Sequence, residues 1–170
     1  MKIQNHCERY SAKFWLVYSH NKTSMTLIQE ESIQDKLFRL KANGDFIEKI
    51  FKDHPDKEVL EDMHLYYSLE HMLQLSIQII LDIGAHILAE KFHENPQSYA
   101  DVIKSMGERG IINASFAAEQ EEMAKFRNKL VHDYDTIDNK KVVQYGRNAP
   151  EIFRTFGQSY IAFMNKDKEQ

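Results

Sequence analysis

The chain has 170 residues, a single-domain length that is sufficient to bury a core. Three prolines and six glycines exclude a collagenous or linker-rich chain, and the single cysteine, Cys7, excludes a disulfide framework or a cysteine-based zinc site and suits a reducing cytosol. A formal charge of −4 excludes a protein that coats nucleic acid over its whole surface, so any nucleic-acid site has to be local.

The N-terminal residues carry only a short apolar patch, Phe14 to Tyr18, with no secretory cleavage site. The spacing of Leu37, Leu40, Phe46, Ile47, Ile50 and Phe51 predicts a helix over about 27–52, with Asn43-Gly44 its weak point and His54-Pro55-Asp56 its end. Lys57 to Phe92 reads as one long helix with Leu65, Leu69, Leu73, Ile77, Ile80, Gly84, Ile87 and Leu88 on its apolar side. Gln74, Gln78, Asp82 and His86 recur every fourth residue in it and form a polar stripe that a lipid-facing helix does not carry. The expectation is a cytoplasmic chain with no membrane partner. Leu75 and Ile79 fall on a further side, as in a helix that meets both its own bundle and a second subunit.

After Pro96, Ser98 to Met106 predicts a short helix ended by Gly107 and Gly110. Ala114 to His132 follows, capped by Asn113 or Ser115. Asp138 offers a cap for Asn139 to Tyr145; Gly146, Asn148 and Pro150 interrupt, and Glu151 to Met164 resumes. No alternating apolar window bounded by turn residues predicts a strand. The expected fold class is all-α, an antiparallel helical bundle over 27–165. Residues 1–26 form an extension of unknown role, with Met25 an alternative start, and 166–170 form a polar tail.

The helix over 114–132 breaks its own pattern. With Met123 as zero on the wheel, Phe116, Glu119, Gln120, Phe126, Leu130 and Val131 lie within about 80°, and Arg127 lies about 40° away, inside the mostly apolar stripe. Arginine is almost never fully buried without a partner. From patterning alone the better explanation is a snorkelling arginine, or one paired with a carboxylate such as Asp82. His132 is about 140° further round and shares a face with Arg127 only if the helix ends or bends near Val131. Asn128 and His132, four apart, do share a face.

RNA cleavage without a metal requires a proton to leave the 2′-hydroxyl or reach the departing 5′-oxygen, and histidine titrates in the right range. The phosphorane formed on the way gathers negative charge that a guanidinium can hold with two hydrogen bonds. One Arg and one His are a minimal set, which a second subunit would double across a two-fold axis. Residues 125–154 hold seven Lys/Arg against four Asp/Glu, a local +3 that leaves −7 elsewhere. The remaining histidines form no metal set: His64/His71 and His86/His93 are each seven apart.

The run Arg127-Asn128-Lys129-Leu130-Val131-His132-Asp133-Tyr134 has the pattern R-x(4)-H-x-Y and resembles the signature of HEPN-domain ribonucleases, specifically the HepT toxin family. Leu69 to Glu90 is similar to that family's central helix, and Pro96 to Ile112 to its short helix and glycine turn; Ala85 departs from the family, which often has asparagine there. The resemblance implies a helical homodimer with an RNase cleft at the subunit interface. It implies Arg127 and His132 as the catalytic pair, acting on RNA without a metal or cofactor. It also implies a partner, an MntA-like nucleotidyltransferase antitoxin, which uses Mg-ATP to transfer AMP to Tyr134. Such a group adds an anionic phosphodiester where RNA phosphate would sit. Asn128, Asp82 and His86 are expected in supporting places and Lys125 and Lys129 as RNA-binding cations, although a satisfied polar seam explains Asp82 and His86 equally well. Two other readings keep the same residues: a non-cleaving HEPN dimer that binds RNA or nucleotide and regulates its nucleotidyltransferase partner, and a purely structural dimer in which Arg127 belongs to a buried ion pair.

Overall fold

The computed structural model describes the backbone of residues 27–132 and 138–168, with side chains over 32–130 and 138–166. The extension 1–26 and Tyr134 of the motif lie outside the described residues, and so does the side chain of His132. Seven helices are described: α1 (Leu27–Asp53), α2 (Asp56–Glu61), α3 (Met63–Phe92), α4 (Tyr99–Glu108), α5 (Ala114–Glu119), α6 (Glu121–His132) and α7 (Asn139–Lys168). Among the described residues there is no strand, so the chain is an all-α bundle as its patterning predicts.

Three boundaries differ from expectation, each for a local reason. The long helix predicted over 57–92 is two elements, because Asp62 leaves helical conformation (φ −88, ψ 110) and its carboxylate accepts from the amides of His64 (2.7 Å) and Leu65 (3.2 Å). That is an N-cap in the middle of the predicted helix. The helix predicted over 114–132 is divided at Gln120, which closes α5; Asn113 is its cap, accepting from Ser115 and Phe116. Conversely, Gly146 and Pro150 interrupt nothing. α7 runs unbroken through both, with Pro150 inside it.

α3 is the centre of the bundle. Leu69, Leu73, Ile77, Ile80, Ile83 and Leu88 are fully buried in it. By length and composition α3 could cross a bilayer, but half of its most apolar stretch is buried against this protein's own helices. α7 lies beside α3 and runs in the same direction. The Tyr66 hydroxyl meets Asn139 Oδ1 at 3.0 Å, Gly146 faces Leu69, and the Tyr160 hydroxyl donates to the Ile80 carbonyl at 2.7 Å. α1 is antiparallel to both, with Asn43 donating to Ser76 Oγ on α3 and Gly44 facing Phe153 on α7. α4 packs against α3 closely enough that a Cβ on Gly84 would lie 2.3 Å from Met106 Sδ. α6 rests on α3 and α4, which puts its motif face at their junction.

Candidate functional site

α6 binds the bundle through Met123, Ala124 and Leu130, all buried, and through Phe126, whose ring lies 4.5 Å from that of Tyr145 on α7. Arg127 sits on the same side and is half-buried, as the wheel predicts. Its environment differs from the one expected. Among the described residues no carboxylate pairs with it, and Asp82 is engaged elsewhere. The guanidinium instead lies over the ring of Tyr99, the first residue of α4, 5.0 Å from its centroid. One guanidinium nitrogen reaches Asn128 Oδ1 at 3.5 Å, the long limit of a hydrogen bond, and Nε is buried with no partner.

Tyr99 is itself anchored. Its hydroxyl donates to Gln78 Oε1 at 3.4 Å, and the Gln78 amide donates to Asp82 Oδ1 at 2.6 Å. Asp82 therefore stands two steps behind Arg127, through Gln78 and Tyr99. His86, one turn further along α3, is half-buried and makes no hydrogen bond to a described residue, so it stands outside this chain of contacts. Tyr99 and Gln78 are the residues that sequence reasoning overlooked in this role. Gln78 stands in the sequence only as a member of a polar stripe, and Tyr99 only within the Pro96–Ile112 segment that resembles the family's short helix and glycine turn.

The backbone is helical through His132, where an ideal helix sets its side chain about 140° round from that of Arg127. Lys125 is paired with Glu122 at 2.5 Å, and that contact lowers the Glu122 carboxyl and raises the Lys125 amine relative to their ordinary values. Lys129 is exposed and forms no ion pair with a described residue. The local positive charge is thinner than the count suggests: Arg147 pairs with Asp56, and Arg154 with Glu151 and Glu48. Among the described residues no three His, Cys, Asp or Glu side chains converge as metal ligands would.

Beside this cluster an open groove of about 720 Å³ runs between α1 and α3, lined by Lys36, Arg39, Asn43, Leu75, Gln78 and Asp82 among others. Gln78 and Asp82 thus line the groove, and Gln78 also bonds to the ring under Arg127.

An all-helical bundle of this topology, with an Arg-x(4)-His sequence closing its sixth helix, defines a HEPN-type protein. The sequence model of the HepT-like ribonucleases matches residues 40–158, and the chain belongs to that family. It is 27% identical over 118 residues to the tRNA nuclease HepT of Aphanizomenon flos-aquae, covering 69% of this chain and 80% of that protein. The structure superposes with a TM-score of 0.69 and 25% identity on a tri-AMPylated Shewanella oneidensis HEPN toxin in complex with MNT antitoxin, covering 76% of this chain and 96% of the toxin. A 23% match over 128 residues to reticulocyte-binding protein 2 of Plasmodium vivax spans only 4% of that protein's length.

Proposed function

We propose that this chain is the endoribonuclease toxin of a HepT/MntA-type toxin–antitoxin pair, cleaving RNA at a site that contains Arg127 and His132 and needs no metal. The observation that carries this reading is the state of Arg127. A half-buried guanidinium with an unpartnered Nε and no described carboxylate beside it is costly to keep, since a buried unsatisfied donor costs about 1–3 kcal/mol. The same observation speaks against a purely structural role for Arg127 in a buried ion pair.

In the proposed reaction a base removes the proton from the ribose 2′-hydroxyl. The 2′-oxygen attacks the adjacent phosphorus, and the bond from phosphorus to the 5′-oxygen breaks as that oxygen receives a proton. His132 supplies one of the two proton transfers, and Arg127 holds the charge that gathers on the equatorial oxygens. A second copy of the chain supplies the other pair. Leu75, 39% exposed on α3 with the half-buried Ile79 a turn away, supports that homodimer because it leaves an apolar side of the central helix open. Silencing follows when an MntA-like nucleotidyltransferase transfers AMP from Mg-ATP to the Tyr134 oxygen, releasing pyrophosphate. The likeness to an AMPylated toxin bound to its antitoxin supports this part of the reading.

Expression of the chain alone in bacteria tests it. Growth is expected to stop, with transfer RNA shortened, and His132→Ala is expected to restore growth because loss of a general acid or base costs about 10²–10⁴ in rate. Growth arrest that persists in His132→Ala, with RNA of unchanged length, would overturn the proposal in favour of a non-cleaving, RNA-binding dimer. Co-expression with the nucleotidyltransferase is expected to add AMP units to Tyr134, read by mass spectrometry.

A further inference from the structure

We propose that Tyr99 is the positioning residue of Arg127: its ring holds the guanidinium carbon over its face and takes none of the N–H groups that a phosphate needs. The inference rests on the reading of Arg127 as an anion-binding group but concerns a different residue, on a different helix. It comes from comparing the two ways a protein can hold an arginine. A carboxylate holds it through its donors, in a fork that occupies the groups a phosphate needs. An aromatic face holds it through the ring quadrupole and occupies no donor with an ion pair. Arg127 is held in the second way, with its guanidinium carbon 5.0 Å from the Tyr99 centroid and no ion pair among the described residues. Its Nε is buried without a partner among the described residues.

The ring has support of its own. Tyr99 opens α4 immediately after Ser98, whose hydroxyl accepts from the Asp101 amide at 3.2 Å and donates to the Asp101 carboxylate at 2.7 Å, fixing the helix start. The phenol then hydrogen-bonds to Gln78, and Gln78 to Asp82, so one end of the ring is capped and the other tied to the central helix. Three elements thereby meet at one cation: α6 provides Arg127, α4 the platform and α3 the tie.

The test uses the full chain and two kinds of readout. The first is the Nε–Hε resonance of Arg127 in nitrogen–proton NMR spectra, which needs no substrate. In the unaltered protein it is expected to be ring-shifted and slow to exchange. In Tyr99→Leu it is expected to move to the position of exposed arginines and exchange faster, while Tyr99→Phe keeps the shift. The second is RNA cleavage, expected to fall about three- to thirty-fold in Tyr99→Leu and to recover most of that loss in Tyr99→Phe.

Gln78→Leu changes a groove residue, not the ring, and guards against a Tyr99→Leu that fails to fold. It is expected to shift the Arg127 resonance and slow cleavage by about two- to five-fold. An Arg127 resonance that is the same in Tyr99→Leu and Gln78→Leu as in the parent overturns the proposal. If the parent cleaves no RNA at all, the reading of the chain as a nuclease fails, and the resonance still decides whether Tyr99 holds Arg127.

Discussion

An arginine balanced by a ring instead of a carboxylate is poor for stability and good for binding anions, and the two consequences separate by mutation. Arg127→Met removes the unpartnered Nε yet keeps an unbranched chain against Tyr99. Its stability is expected to equal or exceed that of the parent by up to about 1 kcal/mol, while RNA cleavage is lost. Arg127→Lys keeps the charge but neither the planar fork nor the stacking, and is expected to cost about 10²–10³ in cleavage rate at nearly unchanged melting temperature. Chemical denaturation and a single-turnover cleavage assay on the same samples check both.

A second residue-scale consequence concerns alkali. Desolvation, with Glu70, Tyr67 and Asp138 nearby, raises the Tyr66 phenol from 10.0 to about 12. The neutral form is favoured in the folded state, so this contribution is complete below the ordinary value and is lost as the pH rises through about 12. Burial raises Tyr145 and Tyr160 in the same direction. Unfolding free energy, measured in urea, is therefore expected to fall as the pH is raised from about 10 to 12 and to fall less in Tyr66→Phe; a flat profile would contradict the buried-phenol account.

What the sequence shows about the site also divides at single residues. Arg127 stood out because it broke a stripe, and its position at the edge of the core is as the wheel predicts. Its neighbour did not stand out: Asp82 was the carboxylate at hand, whereas the contact is made by Tyr99, 28 positions upstream on another helix. Helical periodicity orders residues within an element and contains nothing about which element lies opposite.

At the scale of elements, glycine and proline serve packing more than punctuation. Pro150 lacks the N–H that would bond four residues back, and the residue there is Gly146. A Cβ on Gly146 would lie 2.7 Å from Leu69, so that glycine exists to let α7 approach α3. The helix continues because Val142, Val143, Ala149, Phe153 and Phe156 bury one side of it along its length. The break at Asp62 escaped notice for the opposite reason: apolar periodicity runs on across it, and only the aspartate's capping bonds reveal it.

Two glycines make this quantitative. Gly107 lies inside α4, and a Cβ there would meet the Ala117 Cβ at 2.6 Å, an atom fixed directly to the backbone of α5. Gly107→Ala is expected to destabilise by about 1–3 kcal/mol despite the better helix propensity of alanine. Gly44 lies inside α1, where the nearest atoms to a Cβ are 3.9 Å away. Gly44→Ala is expected to stabilise by about 0.5–1 kcal/mol. Thermal melts of the two variants should move in opposite directions.

For the whole molecule, the patterning predicted the class of fold but not the distribution of charge. The +3 counted over residues 125–154 is largely taken up by Glu122, Asp56 and Glu48, partners that lie outside that window. Exposed pairs of this kind contribute little to stability, yet they blunt the local field, so RNA binding is expected to depend on few phosphate contacts and show a shallow salt slope. The proposed homodimer is a whole-molecule property as well. Light scattering is expected to give twice the 20.1 kDa of one chain, and Leu75→Glu, which charges the open apolar side of α3, is expected to give the mass of one.

The direction of α7 bears on how such a protein is made. The motif helix α6 spans Glu121–His132, and the element that closes the bundle over α1 and α3 follows it in the chain, with Phe156 and Tyr160 wholly enclosed. A growing polypeptide therefore carries Arg127 and His132 well before it has a fold to hold them. A fragment that stops ahead of Asn139 has the full Arg-x(4)-His-x-Tyr sequence and lacks the helix that covers α1 and α3.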